Sequence, residues 1–198
     1  MLTYRPATEA DNHAAFKIFL DSFAHFVQQN NVPFNVDADE LWTQRQAMYT
    51  HLTRTAEHFI IAESDGVAVG YARTILRDGM RELTEFFVRP DSQLKGVGTE
   101  LLSRVFLRDG MKHQMINALA NPQALAHYLK EGTTPRTPIY AFERVPESIQ
   151  IKTDLKFEAI TESPESIFAL RKIDEVILSY RRDIDHAWLL GTKKGFFY

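Results

Sequence analysis

Apolar residues recur along the chain with two different periods, which separates helical segments from strands. Helical spacing relates Phe16, Phe19, Phe23 and Phe26. Short apolar or alternating runs predict strands at residues 2–5, 59–62, 67–76, 81–88, 115–119 and 138–145. Helices are predicted after Thr8, from Asp37 to about Ala56, from Val97 to about Arg108 and from Pro122 to Gly132.

Two turn sequences typical of β-hairpins connect the three central predicted strands. Ser64-Asp65-Gly66 and Arg77-Asp78-Gly79 both contain the Asp-Gly pair that tight antiparallel turns favour. Together with the other elements they give the order βααβββαβαβ. Because helices and sheets bury their apolar faces against each other in layers, this order predicts an α/β (α+β) fold with a mixed, mostly antiparallel central sheet flanked by helices.

Composition excludes several kinds of protein. The 198 residues contain no cysteine, which excludes a disulfide scaffold, a thiolate metal site and a cysteine nucleophile. The 23 basic and 26 acidic residues give no electrostatic reason to expect a nucleic acid partner, and the seven histidines include no pair at metal-ligand spacing. No run approaches the ~20 apolar residues of a membrane span, and the N-terminal segment lacks a secretory signal pattern. We therefore expect a cytoplasmic protein with no metal and no membrane partner.

One glycine-containing loop lies between a predicted strand and a predicted helix. Its sequence is Gln93-Leu94-Lys95-Gly96-Val97-Gly98-Thr99. Glycines let the backbone turn tightly, and a helix start offers unpaired N–H groups to a pyrophosphate. A Walker loop is excluded because Lys95 precedes Gly96, and a dinucleotide fingerprint is excluded because Leu101 stands where its third glycine belongs.

Two motifs identify the chain as resembling one family. The pattern Gln-x-x-Gly-x-Gly, after a strand ending in Val88-x-Pro90, resembles the coenzyme A loop of the GNAT superfamily of N-acetyltransferases. Downstream, Asn121-Pro122-x-Ala124-x-Ala126-x-Tyr128-x-x-x-Gly132 resembles that family's next conserved helix pattern. The resemblance covers about residues 1–145. One departure is the segment 133–136 after Gly132, where the family usually opens a strand with an aromatic residue.

The resemblance implies how acetyl-CoA is bound. Backbone N–H groups around Phe87 and Val88 are expected to polarise the acetyl carbonyl, and those of the loop are expected to hold the pyrophosphate. Asn121 is expected to contact the pantetheine arm, although its Asn-Pro context also suits a plain helix cap. The expected coenzyme A-binding residues are Phe87, Val88, Gln93, Leu94, Lys95, Gly96, Val97, Gly98, Thr99 and Asn121.

The resemblance also implies acid and base residues, because a protonated amine cannot attack a thioester. Glu82 is the first choice for the base and Glu85 the second. A regular strand places them on opposite faces, and a bulge would alter that. Tyr128 is expected near the sulfur of coenzyme A, where it protonates or holds the leaving thiolate. The alternative for Glu82 is a solvated strand carboxylate, and the alternative for Tyr128 is an aromatic residue that only packs on its helix.

Residues 146–198 repeat the pattern of the chain's beginning. Leu155 to Glu162 resembles Leu2 to Glu9 at a constant offset of 153, and a predicted helix follows each copy. We interpret 1–145 as the acetyltransferase domain and 146–198 as the first part of a second, incomplete unit, as in tandem-domain family members. An unrelated extension is the alternative. The apolar end Phe196-Phe197-Tyr198, if it is a strand, requires a partner edge in this chain or in a homodimer.

The leading hypothesis is transfer of acetyl from acetyl-CoA to a primary amine by direct attack in a ternary complex. The acceptor is a small molecule or a peptide and is not identified by the sequence. A non-catalytic acyl-CoA sensor and an unrelated nucleotide-phosphate binder are the alternatives.

Overall fold

Five strands form one sheet in chain order. They are β1 Leu2–Pro6, β2 Ala56–Ser64, β3 Val67–Arg77, β4 Met80–Val88 and β5 His113–Ile116. Strands β1 to β4 are antiparallel neighbours, and β5 runs parallel to β4. This sheet confirms the predicted mixed, mostly antiparallel arrangement. The structure is a computed structural model that describes residues 1–93, 95–111, 113–119, 121–138 and 152–197.

Both predicted hairpin turns have the backbone that their Asp-Gly pairs favour. Asp65 and Gly66 have φ of 50° and 80°, and Asp78 and Gly79 have φ of 47° and 82°. Two successive positive φ angles match the twist of antiparallel strands, so the turns fix the register of β2, β3 and β4.

Helices cover both faces of the sheet. They are α1 Asn12–Gln29 and α2 Ala38–Arg54 on one face and α3 Val97–Val105 on the other. A fourth helix, α4 Pro122–Lys130, follows β5 in the chain. On one face Tyr71 of β3 packs in a core cluster with Phe16 of α1 and Tyr49 of α2. On the opposite face the side chain of Thr74 donates to the carbonyl of Val105, the last residue of α3. Successive residues of β3 therefore alternate between the face covered by α1 and α2 and the face covered by α3.

A β-bulge in β4 changes which side chains share a face. Arg73 of β3 pairs with Glu85, and the next residue, Thr74, pairs with Leu83, so that Thr84 is the extra residue. Glu82 pairs with Ile75. Because Ile75 and Arg73 lie on the same side of β3, the bulge brings both glutamates to the face that α1 and α2 cover. The sequence left open whether a bulge would place Glu82 and Glu85 on one face, and the structure contains that bulge.

Strand β5 accompanies β4 for only part of its length. The pairing runs from Met80 with His113 to Leu83 with Ile116. Beyond Leu83, no strand in the described part of the chain lies on that side of β4. The sheet is therefore open along residues 84–88, at the end of β4 that leads into the glycine loop.

The chain divides into two units, residues 1–127 and 128–198. The second contains the end of α4, then β6 Glu158–Ala159, α5 Pro164–Ile177, α6 Asp183–Thr192 and β7 Phe196–Phe197. Strands β6 and β7 pair antiparallel. This βααβ order equals that of β1, α1, α2 and β2, and β1 also pairs antiparallel with β2. The common order supports the predicted incomplete repeat, which stays a prediction.

Element boundaries differ modestly from those expected. The strand expected at 115–119 lies at 113–116, and the helix expected to reach Arg108 ends at Val105. The expected boundary at 145/146 and most of the strand expected at 138–145 lie outside the described residues. No helix in the described ranges combines the length and the apolar character needed to cross a bilayer.

Arg81, at the start of β4, forms two ion pairs. Its side chain is 1% exposed, and Nη2 lies 2.6 Å from Glu57 of β2 and 2.8 Å from Asp109 in the loop after α3. Hydrogen bonds from Arg81 lower the pKa of Asp109 to about 2. The ion pairs thus connect β2, β4 and that loop.

The substitution Asp109→Asn is expected to remove a pH-dependent part of the stability. A carboxyl with a lowered pKa stabilises the fold fully above its unfolded pKa near 3.9, and this contribution is lost as the pH falls to about 2. The difference in free energy of unfolding between wild type and D109N, from urea titrations, should therefore be constant above about pH 5 and shrink between about pH 4 and 2.

The double-mutant cycle with Arg81→Met tests the cause. In the R81M background, D109N should have a much smaller pH-dependent effect, because the cation that lowers the pKa most is absent and only backbone N–H groups remain. A pH-dependent difference of undiminished size there would contradict the assignment.

Candidate active site

The glycine loop is fixed by its own side chains. Nε2 of Gln93 donates to the carbonyl of Val88 at 3.0 Å, and Nζ of Lys95 donates to the carbonyl of Asp91 at 2.7 Å. Gly96 precedes α3 with φ of 81°, a left-handed conformation that glycine adopts without strain. Gln93 and Lys95 therefore help to shape the loop, in addition to any ligand contact. Leu94 lies outside the described residues.

The start of α3 presents unpaired N–H groups. Glu100 is the first residue whose N–H bonds back to the loop, at 3.1 Å from the carbonyl of Gly96. In a helix the N–H groups of the preceding residues, here Val97, Gly98 and Thr99, have no intrahelical acceptor. They lie at the positive end of the helix dipole, which suits a pyrophosphate.

Gly98 lets α3 approach β4 closely. A Cβ at this position would lie 3.1 Å from Cζ of Phe86. The His127 ring of α4 meets Phe86 edge-on, with centroids 6.3 Å apart, and its Nδ1 lies 3.5 Å from Oγ1 of Thr99. His127 is half-buried beside the start of α3. No local pattern signals that position, since it depends on how α4 docks.

The open edge of β4 presents the N–H of Val88. Val88 and Gly70 face each other, and the N–H of Arg89 donates to the carbonyl of Val69 at 2.8 Å. This pattern makes Val88 and Gly70 a non-hydrogen-bonded pair, so both polar groups of Val88 point away from β3. Its carbonyl accepts from Oγ of Ser22 at 3.0 Å. The alternation turns the N–H of Phe87 toward β3 instead.

Glu85 is buried three residues before Val88. Its side chain is 9% exposed, and Oε2 lies 3.0 Å from Nη1 of Arg73, which is 0% exposed. Oε1 accepts from the Tyr71 hydroxyl at 3.1 Å, and that hydroxyl lies 3.2 Å from the Tyr49 hydroxyl. Arg73 also lies 3.9 Å above the ring of Phe59. Nη2 of Arg73 also donates to Oδ1 of Asn12 at 3.3 Å, so aromatic rings and one amide surround the ion pair.

Burial dominates the acid–base properties of this cluster. It raises the pKa of Glu85, and the positive charge of Arg73 offsets part of that effect. Burial and the negative charge of Glu85 both raise the pKa values of Tyr71 and Tyr49, so the two hydroxyls remain protonated. Nε of Arg73 and Oε2 of Glu85 form no aligned hydrogen bond with the described residues. The carboxylate thus keeps acceptor capacity beyond its ion pair.

The remaining candidate residues lie on β4 and α4. Glu82 is half-buried on the same face as Glu85. Asn121 caps α4, since its Oδ1 accepts from the N–H of Gln123 at 2.9 Å and of Ala124 at 3.2 Å. Tyr128, on the part of α4 that belongs to the second unit, is buried, and burial raises its pKa to about 12. Within the described ranges, no cluster of three His, Asp or Glu side chains could hold a metal ion.

A family model described as Acetyltransferase (GNAT) family matches residues 12–132, more than half of the chain. The chain belongs to this family. An L-amino acid N-acyltransferase of Escherichia coli K12 is 33% identical over 106 residues, which are 49% of this chain and 58% of that protein. The membership confirms the resemblance seen in the two motifs of this GNAT chain.

Solved structures agree on the fold. A Pyrococcus horikoshii structure assigned as an acetyltransferase superposes with a TM-score of 0.70 at 16% identity, covering 98% of this chain and 64% of that one. An N-acetyltransferase of Thermoplasma acidophilum, solved with coenzyme A, gives 0.52 at 15% identity, covering 66% and 87%. The GNAT chain therefore spans about three-fifths of the length of both the E. coli relative and the P. horikoshii protein.

The buried ion pair generates a stability prediction. Arg73→Met is expected to lower the free energy of unfolding by about 3–5 kcal/mol, because it leaves the Glu85 carboxylate buried without its counter-ion. In the E85Q background the same substitution should have a clearly smaller effect, because no charge is stranded. Urea denaturation at pH 7 measures both losses, and equal losses in the two backgrounds would contradict this reading.

Proposed function

We propose that this GNAT chain transfers the acetyl group of acetyl-CoA to a primary amine, by direct attack while both substrates are bound. The observation that carries the proposal is the open edge of β4. There the outward N–H of Val88 lies between a pyrophosphate-binding helix start and a buried carboxylate, Glu85.

The binding of acetyl-CoA follows from these elements. The N–H groups of Val97, Gly98 and Thr99 hold the pyrophosphate, and the N–H of Val88 polarises the thioester carbonyl. Residues 84–88 of β4, without a strand beside them, leave room for an extended pantetheine arm to lie as a further strand would. Of the two residues expected at the carbonyl, the alternation of the strand favours Val88 over Phe87 as the donor.

The proton of the amine is best removed by Glu85. Strand geometry separates the Cα atoms of Glu85 and Val88 by roughly 10 Å and those of Glu82 and Val88 by roughly 20 Å. A base must lie within hydrogen-bond reach of its proton, or act through one water. We therefore favour Glu85, acting through one water, because Glu82 lies about twice as far from Val88 along the strand. This proposal inverts the order of preference expected from the sequence.

The chemical step needs no covalent enzyme intermediate. The amine nitrogen attacks the thioester carbon, the new C–N bond forms and the C–S bond breaks. Glu85 receives the proton of the amine, and Tyr128 gives a proton to the leaving sulfur. Its raised pKa of about 12 keeps the Tyr128 hydroxyl protonated at neutral pH, so that it remains a donor.

The acceptor is a primary amine on a small molecule or a peptide. The E. coli relative is named for L-amino acids, which makes these the first acceptors to assay. The non-catalytic acyl-CoA sensor remains the second candidate, because the Glu85 carboxylate is already engaged in a buried ion pair with Arg73. Binding without turnover over a broad amine panel would favour the sensor.

The glycine loop is tested by Gly98→Val. Side-chain carbons at this position would press on the Phe86 ring and displace the start of α3, so affinity for acetyl-CoA and for CoA should fall at least tenfold. Isothermal titration calorimetry measures this, with ATP as the ligand that should not bind. Gly191→Val is the matched control, because Gly191 also lies in a helix and has open space around it.

Thermal unfolding of G98V separates a loss of ligand binding from a loss of the fold. G98V must keep wild-type thermal unfolding within a few degrees for the affinity loss to count. Wild-type protein that binds ATP but neither CoA species would overturn the proposal.

The base and acid are tested by Glu85→Gln, Glu82→Gln and Tyr128→Phe. Removal of a general base or acid typically lowers kcat by about 10²–10⁴-fold, so E85Q and Y128F should lose at least a hundredfold while E82Q keeps activity within about threefold. Wild-type kcat/KM should fall with decreasing pH as Glu85 is protonated, and burial shifts that decline above the range of an ordinary carboxyl. An E82Q loss larger than that of E85Q would restore Glu82 as the base.

A further inference from the structure

Arg45 of α2 is a cation without a carboxylate partner. It is half-buried, and its guanidinium carbon lies 5.0 Å from the ring centroid of Phe19 of α1. Within the described ranges it forms no ion pair and no side-chain hydrogen bond. Arg54, on the same helix, pairs with Glu9 at 2.8 Å. The five N–H donors of Arg45 are therefore available in a partly desolvated position.

Arg45 lies beside an aromatic row that leads to the reaction site. We define the aromatic row as Phe87, Phe19, Phe23 and Phe34, whose successive ring centroids are 5.2, 5.7 and 5.4 Å apart. All four side chains are half-buried. Phe87 directly precedes Val88, whose N–H is proposed to hold the thioester carbonyl. The row thus extends from the acetyl position across the face of α1.

Among the described residues, the carboxylate near Arg45 is Glu85, which already has an ion-pair partner. Glu85 is near enough for the charge of Arg45 to lower its pKa slightly, but its ion pair is with Arg73 at 3.0 Å. A half-buried guanidinium is stabilised most by a carboxylate that accepts two parallel N–H bonds. None of the described residues offers such a group to Arg45, which leaves its donors open to the carboxylate of a ligand.

We infer that Arg45 binds the carboxylate of the amine acceptor while the aromatic row contacts its side chain. The acceptor is then an amino acid with an apolar side chain, in preference to a polyamine or an aminoglycoside. This inference rests on the proposed N-acetyl transfer and adds the group that selects the acceptor. Arg45 binds the carboxylate of the acceptor and so orients the acceptor with its amine toward the thioester.

Matched pairs of acceptors test the inference. L-phenylalanine is compared with 2-phenylethylamine, and L-leucine with 3-methylbutylamine, so that each pair differs only by the carboxylate. Wild-type kcat/KM should be at least tenfold higher for the amino acids. Arg45→Gln should abolish that preference by raising KM for the amino acids, with kcat/KM for the two amines and KM for acetyl-CoA unchanged.

Two further variants separate charge recognition from helix stability. Arg45→Lys keeps the charge without the planar fork and should restore part of the preference. Arg54→Gln removes an exposed arginine from the same helix and should leave the preference intact. Equal or better use of the amines by the wild type, or an equal loss for both members of a pair in R45Q, would overturn the inference.

A binding measurement keeps this test independent of turnover. Calorimetric titration of the CoA-loaded protein with each amino acid and its matched amine reports carboxylate recognition directly. If no amine is acetylated, the proposed function fails. Preferential amino acid binding that is lost in R45Q still supports the role of Arg45, and absence of that preference overturns it.

Discussion

The pairing of β4 is the constraint on which the candidate site depends. Its first four residues lie between β3 and β5, and beyond Leu83 β3 is its only neighbouring strand within the described ranges. Backbone polar groups require partners, so an unpaired strand edge is a binding surface for an extended chain or a ligand. The outward N–H of Val88 lies on this edge, and the glycine loop begins a few residues later. The opening thus places a carbonyl-binding donor and a pyrophosphate-binding helix start next to each other.

The bulge at Thr84 gives the same strand its acid–base chemistry. Without the extra residue, Glu85 would point toward α3, away from Arg73 and Tyr71. With it, the carboxylate enters an aromatic environment where burial raises its pKa and one arginine limits the rise. The net effect is a raised pKa for the Glu85 carboxyl, with burial as the larger cause. The same face carries Phe19 and Arg45, so acceptor recognition and proton removal are both assigned to the side covered by α1 and α2.

The second unit shows how a simple supersecondary order can recur. Its β6, α5, α6 and β7 follow the order of β1, α1, α2 and β2, with the outer strands antiparallel in both. Its helices carry a cluster of three charged or titratable side chains, in which the buried Asp174 contacts Arg182 at 2.6 Å and His186 at 2.7 Å. This cluster connects α5 to the start of α6, whereas the Glu85 cluster of the first unit contains tyrosines and no histidine. A shared order of elements therefore does not imply a shared chemistry.

The sequence by itself determined the elements, the hairpins, the glycine loop and the family, because each depends on residues close together in the chain. Asp-Gly pairs set two turns, and Gln93 to Thr99 carries the coenzyme A pattern within seven residues. Only the tertiary structure decided that Glu82 and Glu85 share one face of the sheet, since that depends on a one-residue bulge between two strands. It also decided that His127 packs beside Thr99 and that Arg45 has no ion-pair partner among the described residues. Those facts depend on the docking of separate helices, and no local spacing encodes them.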